Sequence, residues 1–271
     1  MGSELVTNFS FFTHRIASSG TIRGCQIAER IGGRLNPSSD YENDICIFVK
    51  IEPFIPYPKK SYLDVVDNIG FVRWLDEHPN MGVIAFTKPS QQRMQKYLNR
   101  SDINYIPQHH CNFERVIRPE REVKLVGCCG SKFVLGHNEE EAKEMFRKIG
   151  LDFIFYQRPS SRRGVVKFHK SIDINICFRP KMKYYNFKDS LKIVNAGSYK
   201  VPTVAFPEPN NELEFQDCYV PVMSFKELVE QCDRLKCEPD YYNKIATNVY
   251  DKSEAYHIDN IIPYYLNLEN C

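Results

Sequence analysis

The stretch FKDSLKIVNAGSYKVPTVAFPEP, from Phe187 to Pro209, joins a helix-like segment to an apolar strand. A patch of small and polar residues, 195–198, comes just before the apolar run that begins at Val201. Glycine costs roughly 1 kcal/mol relative to alanine inside a helix, so local stability does not favour Gly197. The patch therefore predicts a close approach to the backbone, either by a bulky ligand or by packing of the helix.

Apolar strands and helical patterns alternate on both sides of this stretch. The runs VKLVGCCG, LDFIFYQ, IDINICF and VPTVAF are separated by helical patterns, one of which has Asn138 as its cap and Gly150 beyond its end. The runs NFSFFTH, NDICIFVK, MGVIAFT and INYIP repeat the rhythm earlier in the chain. Such alternation predicts parallel sheets covered by helices on both faces, and its restart after a polar linker near 112–121 predicts two domains.

Composition narrows the class of protein. The 271 residues are enough for two domains at roughly 100–200 residues each, and a net charge of +2 from 36 basic and 34 acidic residues gives no reason to expect nucleic acid as a partner. The ten cysteines include no CxxC pair, which predicts reduced thiols rather than disulfides or zinc ligands. Without a basic leader or an apolar run near roughly 20 residues, the expected location is the cytoplasm.

An anion site is predicted at the start of the helix in the opening stretch. Ligands of open α/β sheets bind beyond the carboxyl ends of the strands, and this helix follows the strand IDINICF. Lys192 falls in the first turn of a helix that begins near Asp189 or Ser190, and Asn195 lies one turn further on. We expect a phosphate there to meet the ammonium of Lys192 and the amide of Asn195.

The segment DINICFRP, continued by KDSLKIVNAGSYKVPTVAF, resembles the donor segment of GT-B glycosyltransferases, with Lys200 in place of a glycine. The segments IASSGTIRGCQIAERIGG, VIAFTKPSQQRMQKYL, INYIPQHHCNFER and YYNKIATNVYDKSEAYHIDNIIPYYL are similar to other parts of these enzymes. The resemblance implies an α/β fold of two Rossmann-like domains facing a cleft, with a short N-terminal domain. It implies an acceptor domain over 1–115, a donor domain over 116–250, and a helix over 251–271 that crosses back to the first domain.

The resemblance also implies an activity, namely glycosyl transfer from a nucleotide-sugar donor to a glycan or other hydroxyl acceptor. We expect hexosyl or related transfer without a metal or a cofactor, because basic side chains and helix amides can stabilise the departing diphosphate. Many retaining members carry two glutamates eight positions apart, where this chain has Phe187 and Asn195. The stereochemistry, the base and sugar of the donor, peripheral membrane association and the oligomeric state therefore stay open.

The candidate site residues follow from this chemistry, although solvated surfaces and strand ends account for single charged or histidine residues equally well. Donor binding needs cations and close backbone, and its candidates are Gly130, Lys132, Arg158, Lys188, Lys192 and Asn195. The first strand-to-helix loop and a later strand end supply the acceptor-binding candidates, which are Ser18, Ser19, Gly20 and His109. His14 and Asp67 are the candidate catalytic acid or base groups.

Other classes of protein remain as alternatives. A metal-dependent GT-A enzyme would need a carboxylate pair, but IDIN offers only Asp173 and Asn175, which alternate across a strand. A sugar-nucleotide-binding scaffold without activity and a sugar-nucleotide epimerase are compatible with the same two-domain pattern. Turnover of a donor distinguishes the transferase, the epimerase and the scaffold. Transfer or hydrolysis indicates the transferase, isomerisation of the donor indicates the epimerase, and binding without turnover indicates the scaffold.

Overall fold

A computed structural model describes residues 8–14, 18–67, 70–180 and 188–270. The chain divides into two compact units, of which the first combines Met1–Gln108 with Ile258–Cys271 and the second is His109–His257. The sequence-based domains had their borders at 115/116 and 250/251. In the described ranges, no helix is both long and apolar enough to span a membrane.

The first unit contains a six-stranded sheet in which every strand pair is parallel. Its strands, in the spatial order β2-β1-β3-β4-β5-β6, are β1 (Phe9–Phe12), β2 (Arg34–Leu35), β3 (Ile45–Val49), β4 (Ser61–Asp64), β5 (Gly82–Ala85) and β6 (Ile103–Tyr105). The helices of this unit, numbered in chain order, are a π-helical turn (Gly20–Cys25) that continues into α1 (Gln26–Ile31), then α2 (Phe71–Glu77), α3 (Lys88–Leu98) and α10 (Ile258–Leu266).

The second unit contains a five-stranded parallel sheet in the order β11-β10-β9-β7-β8. Its strands are β7 (Leu125–Gly130), β8 (Asp152–Gln157), β9 (Ile174–Cys177), β10 (Thr203–Ala205) and β11 (Val220–Pro221). Its helices are α4 (Glu139–Lys148), α5 (Arg162–Ser171), α6 (Leu191–Gly197), α7 (Pro209–Glu214), α8 (Phe225–Cys237) and α9 (Pro239–Glu254).

Local sequence explains where these elements start and what they bury. Asn138 accepts hydrogen bonds from the amides of Glu140 and Glu141, so it caps α4 as the sequence predicts. Along β7, Val126 and Cys128 belong to one apolar cluster, while Cys129 belongs to the cluster on the opposite face. Each sheet face is therefore covered, which is why the strands read as continuous apolar runs.

The parallel α/β prediction is confirmed, including the position of every strand named from its sequence. The short edge strands β2 and β11, the helix α7 and the π-helical turn were not predicted. The nine cysteines that the structure describes are all free, and Cys46, Cys128 and Cys177 are buried. Those thiols pack as small hydrophobic groups, as expected from the apolar runs that contain them.

Candidate functional site

Four parallel strands of the second unit end at one edge of its sheet, and charged residues follow them closely. Lys132 follows β7, Arg158 follows β8, Arg179 follows β9, and Glu208 follows β10. The carboxyl edge of a parallel sheet is where α/β proteins bind ligands. This edge is therefore the candidate site of the second unit.

Lys192 lies against the backbone at the end of β7. A Cβ atom at Gly130 would stand 3.4 Å from the Nζ of Lys192 and 2.8 Å from a methyl group of Val134. Gly130 also has a φ of +145°, a conformation that residues with side chains rarely adopt. The backbone conformation and the closeness of Val134 therefore require glycine here, and the ammonium group of Lys192 lies beside it at the end of the strand.

Lys192 forms no salt bridge with a carboxylate in the part of the chain that the structure describes. The side chain is half-buried, and none of the ion pairs among the described residues includes it. Its field reaches the thiol of Cys129, where burial raises the pKa and Lys192 opposes that rise. A half-buried cation of this kind has the charge and the donors that an anion would need, and the role of Lys192 in donor binding stays a prediction.

Arg179 and Glu208 form a buried ion pair at the same edge. The Nε of Arg179 donates to Oε1 of Glu208 at 2.5 Å, and a second nitrogen of Arg179 donates to the other carboxylate oxygen. Burial raises the pKa of Glu208, and Arg179 opposes the rise. The bidentate pair of Arg179 and Glu208 joins the loop after β9 to the loop after β10.

Beside this ion pair, a hydrogen-bonded cluster of Ser190, Asn210 and Asn211 contains a side-chain oxygen that accepts no hydrogen bond from a described residue. Asn210 donates to the hydroxyl of Ser190 at 2.8 Å, and that hydroxyl donates to Asn211 at 2.7 Å. Within the described chain, the buried Oδ1 of Asn210 receives no hydrogen bond. A ligand hydroxyl or N–H group would satisfy that oxygen, because a buried polar atom without a partner costs free energy.

Sequence reasoning missed Arg179, Glu208 and Asn210 as site residues. A signal was present, because Arg179 follows the apolar run INICF and Glu208 follows VPTVAFP directly. Charged residues immediately after buried parallel strands lie at the ligand-binding edge. Their mutual pairing, which depends on the order of β9 and β10 in the sheet, was not readable from the sequence.

The other donor candidates of the sequence occupy different surroundings. Lys132 is exposed, with its Nζ 5.5 Å from the centre of the Phe133 ring. Arg158 is exposed and has a φ of +47°, and its amide donates to the carbonyl of Gly130 at 2.9 Å. Lys188 is half-buried in the segment before α6. Arg158 is thus fixed at the edge by its backbone, and its role in donor binding stays a prediction.

The small-residue patch packs against protein rather than opening towards a ligand. A Cβ atom at Gly197 would stand 2.5 Å from side-chain atoms of Val249 and Ser253 on α9. The side-chain oxygen of Asn195 accepts a hydrogen bond from the amide of Cys111 at 2.8 Å. Close packing of α6 on α9 therefore explains Gly197, and we do not include Asn195 in the proposed anion site.

In the first unit, the acceptor candidates 18–20 lie on the loop after β1, as expected. Ser18 is exposed with a φ of +50°, Ser19 is half-buried, and Gly20 is buried at the start of the π-helical turn. His14, at the end of the same strand, is exposed. π-Helical turns are frequent at functional sites, and the role of Ser18, Ser19 and Gly20 in acceptor binding stays a prediction.

Two carboxylates near the end of β4 in the first unit are paired with cations. Asp67 accepts from Lys50, and Asp64, which is fully buried at the end of β4, accepts from Arg23 at 2.5 Å. Burial raises the pKa of Asp64, and Arg23 opposes the rise. The role of Asp67 as a catalytic group stays a prediction.

His109 belongs to the second unit and is only 2% exposed. The Nδ1 atom of its ring lies 3.1 Å from the carbonyl oxygen of His110. The acceptor domain predicted over 1–115 contained His109, whereas the structure assigns this buried residue to the second unit. We therefore leave His109 out of the proposed site.

The two parallel-sheet units together have the fold of the GT-B glycosyltransferases. The HepE protein of Anabaena, solved with UDP-glucose, has a TM-score of 0.67 and 11% identity, covering 97% of this chain and 100% of its own. A glycosyltransferase from Rickettsia africae has a TM-score of 0.62 and 10% identity, covering 97% of both chains.

A third solved structure is longer than this chain. TarM of S. aureus, solved with UDP, has a TM-score of 0.62 and 13% identity over 83% of this chain. This chain spans just over half (55%) of that TarM structure. No family model and no curated protein matches the sequence. At these identities the likeness shows the fold, and the activity must be argued from the site.

Proposed function

We propose that this chain is a glycosyltransferase that moves a hexosyl or related sugar from a nucleotide-sugar donor to a glycan or other hydroxyl acceptor. The observation that carries the proposal is Lys192, a half-buried cation held against Gly130 at the carboxyl edge of the second sheet, without a carboxylate partner in the described chain. The solved structures of similar fold support it, because several contain UDP or a UDP-sugar.

The chemistry requires charge stabilisation as the sugar leaves the diphosphate. Negative charge grows on the leaving oxygens, and a fixed cation in a partly dry site stabilises that charge. Lys192 is suited to this role, and the free oxygen of Asn210 is suited to accept a hydrogen bond from the nucleotide. Because α6 has only seven residues, the proposal rests on the ammonium group rather than on the helix terminus.

The acceptor side of the proposal is the first unit. Ser18 and Ser19 lie on the loop after β1, and His14 and Asp67 are the candidates for accepting the proton of the acceptor hydroxyl. Metal independence is part of the proposal, because a basic side chain supplies the charge that a divalent ion would otherwise supply. A cytoplasmic location is also proposed, and the free thiols support it.

A donor screen tests the activity. The chain is incubated with UDP-, GDP-, dTDP- and CDP-sugars, and released nucleotide, transferred sugar and donor isomer are quantified separately. Transfer or hydrolysis supports the transferase, isomerisation supports an epimerase, and binding without turnover supports a scaffold. Activity should persist with excess chelator. Loss of transfer that a divalent ion restores would contradict metal independence.

Lys192→Ala tests the site. The variant removes a charge-assisted contact of about 1.5–3 kcal/mol, so donor affinity or turnover should fall roughly ten- to a hundredfold. The matched control is Lys226→Ala, because the Lys226 side chain is 83% exposed in the same unit and pairs only at the surface with Glu230. If Lys192→Ala binds and turns over donor as the control does, the assigned site is wrong.

A further inference from the structure

A cavity lies at the opposite, amino-terminal edge of the second sheet. It has a volume of about 290 Å³, which is near the lower end of the size range of small-molecule sites. Its lining comes from the segment before β7, the turn before β10, the end of α8 and the first turns of α9. The donor site described above is at the other end of the same strands, so this cavity is a separate feature.

Basic side chains outnumber acidic ones in the lining. Four basic residues contribute to it, namely Arg118, Arg121, Lys200 and Lys236, against two glutamates, Glu120 and Glu122. Glu122 pairs with Lys124 at the surface at 2.6 Å. One buried carboxylate, Asp173, accepts from both Arg118 and Arg121. The cavity therefore carries an excess of positive charge.

Arg118 is 93% buried and retains an unused donor. Two of its nitrogens donate, one to Asp173 at 2.8 Å and one to the hydroxyl of Tyr242 at 2.8 Å. Its Nε is buried and has no hydrogen-bond partner among the described residues. A guanidinium that is fixed by two partners and keeps its Nε–H unpaired is preorganised for an anionic acceptor.

Lys200 occupies a backbone position where glycine would be unstrained. Its φ is +60°, and its amide donates to the carbonyl of Gly197 while the amide of Val201 donates to that of Ala196. These are the two hydrogen bonds of a Schellman motif, whose left-handed residue is usually glycine. Strain of this kind persists at functional positions. The lysine side chain lines the cavity and forms none of the ion pairs found within the described chain.

The first turn of α9 borders the cavity, and the positive potential of its N–H groups is partly offset by Asp240 in the same turn. Pro239 is its first residue, and Tyr242, Asn243 and Ala246 continue along the cavity wall at helical spacing. The residue before this helix, Glu238, makes no side-chain capping hydrogen bond. The amino end of a 16-residue helix therefore faces the cavity together with the basic side chains.

We propose that this cavity binds the phosphate group of a small phosphorylated molecule, with Lys200, Arg118 and Arg121 as its cationic ligands. The excess of positive charge attracts a phosphate anion, and planar guanidinium groups match its oxygens. Leu235, Val123 and Pro239 supply apolar wall for the rest of the molecule. The proposal does not depend on glycosyl transfer, since it concerns the other edge of the sheet.

Thermal-shift and calorimetric titrations of the full chain test this site. The probes are inorganic phosphate and glucose 6-phosphate up to about 10 mM, with glucose as the uncharged comparison, at low ionic strength. Both phosphate compounds should stabilise the parent protein, and glucose should not. Absence of any phosphate-dependent stabilisation would overturn the proposal.

Four variants assign the binding to this cavity. Lys200→Gly relieves the left-handed strain, so it should fold at least as well as the parent, and Arg121→Gln changes an exposed side chain. Each should weaken phosphate binding roughly tenfold or more. Lys226→Ala should retain it, and Lys192→Ala should retain the phosphate binding that Lys200→Gly removes. Loss of phosphate binding in Lys192→Ala but not in Lys200→Gly would assign the anion to the donor edge and overturn the proposal.

Discussion

The carboxyl edges of the two sheets differ in whether their cations have carboxylate partners. At the edge of the first sheet the cations are matched, because Arg23 pairs with Asp64 and Lys50 pairs with Asp67. At the edge of the second sheet Lys192 lies beside Gly130 without such a partner in the described chain. The difference is whether a half-buried cation near a strand end has a carboxylate partner, and it is the basis on which we propose the anion site in the second unit.

The buried pair of the first unit should give the largest effect. Asp64→Ala leaves the Arg23 guanidinium, which is 1% exposed, without its carboxylate and should destabilise the first unit by about 3–5 kcal/mol. The only tryptophan of the chain, Trp74, lies on α2 of this unit, so its fluorescence during urea unfolding reports the change.

Two controls define that effect. The double change Arg23→Met with Asp64→Leu removes both charges and should recover most of the stability. Arg73→Ala breaks an exposed pair with Glu77 and should cost less than about 1 kcal/mol. If Asp64→Ala unfolds at the same urea concentration as Arg73→Ala, the pair is not a buried charge in solution.

Acid should destabilise the second unit through two buried histidines. Burial lowers the pKa of His169 to about 3, and the charge of Lys192 is the smaller cause. Burial also lowers the pKa of His110 to about 3, and His257 is the next cause. An unfolded histidine titrates near 6.5, so the unfolded state binds more protons between these values. The stability is fully present above about pH 6.5 and is lost as the pH falls towards 3.

The expected loss is about 2 kcal/mol per histidine between pH 6.5 and pH 5. Far-UV circular dichroism during urea unfolding reports the whole chain, while Trp74 fluorescence reports the first unit separately. His169→Leu removes one titrating group, because neither ring nitrogen of His169 has a hydrogen-bond partner in the described chain. That variant should lose less stability on acidification, and an unchanged pH dependence would exclude His169 as a source.

Gly197→Ala separates the two explanations of the small-residue patch. The added methyl group would stand 2.5 Å from side-chain atoms of Val249 and Ser253, so the variant should lose about 1–3 kcal/mol of stability. Nucleotide affinity of Gly197→Ala should be unchanged. Lys192→Ala should instead keep the stability of the parent and lose nucleotide affinity. Lower affinity with unchanged stability in Gly197→Ala would restore the ligand explanation.

These cases show which features were readable from the sequence. Strand positions and the Asn138 cap depend on residues close together in the chain, so apolar periodicity and cap residues predicted them. The contact of Gly197 with Val249 and the pairing of Arg179 with Glu208 join distant segments. Those depend on sheet order and helix packing, which local patterns do not determine.

The candidate site was therefore predicted only in part. Lys192 was identified because a basic residue in a first helical turn after a parallel strand has a local signature. Asn195 was included because it lies one turn further along the same helix, but its side-chain oxygen accepts a hydrogen bond from the amide of Cys111, 84 positions away along the chain. A sequence gives the type of a polar residue, while the structure shows whether its hydrogen-bonding capacity is already used.

The smallest expected effect comes from the paired lysine, and it tests the comparison most directly. Lys50→Ala removes an ion pair whose lysine side chain is 42% exposed, so stability should change by no more than about 1 kcal/mol. Nucleotide affinity, measured by calorimetry, should equal that of the parent, because the charge of Lys50 is already matched by Asp67. Lys192→Ala removes the same kind of charge from a site without a carboxylate and should weaken the same titration. Equal losses of affinity in the two variants would mean that total charge governs binding, and the distinction between matched and unmatched cations would then fail.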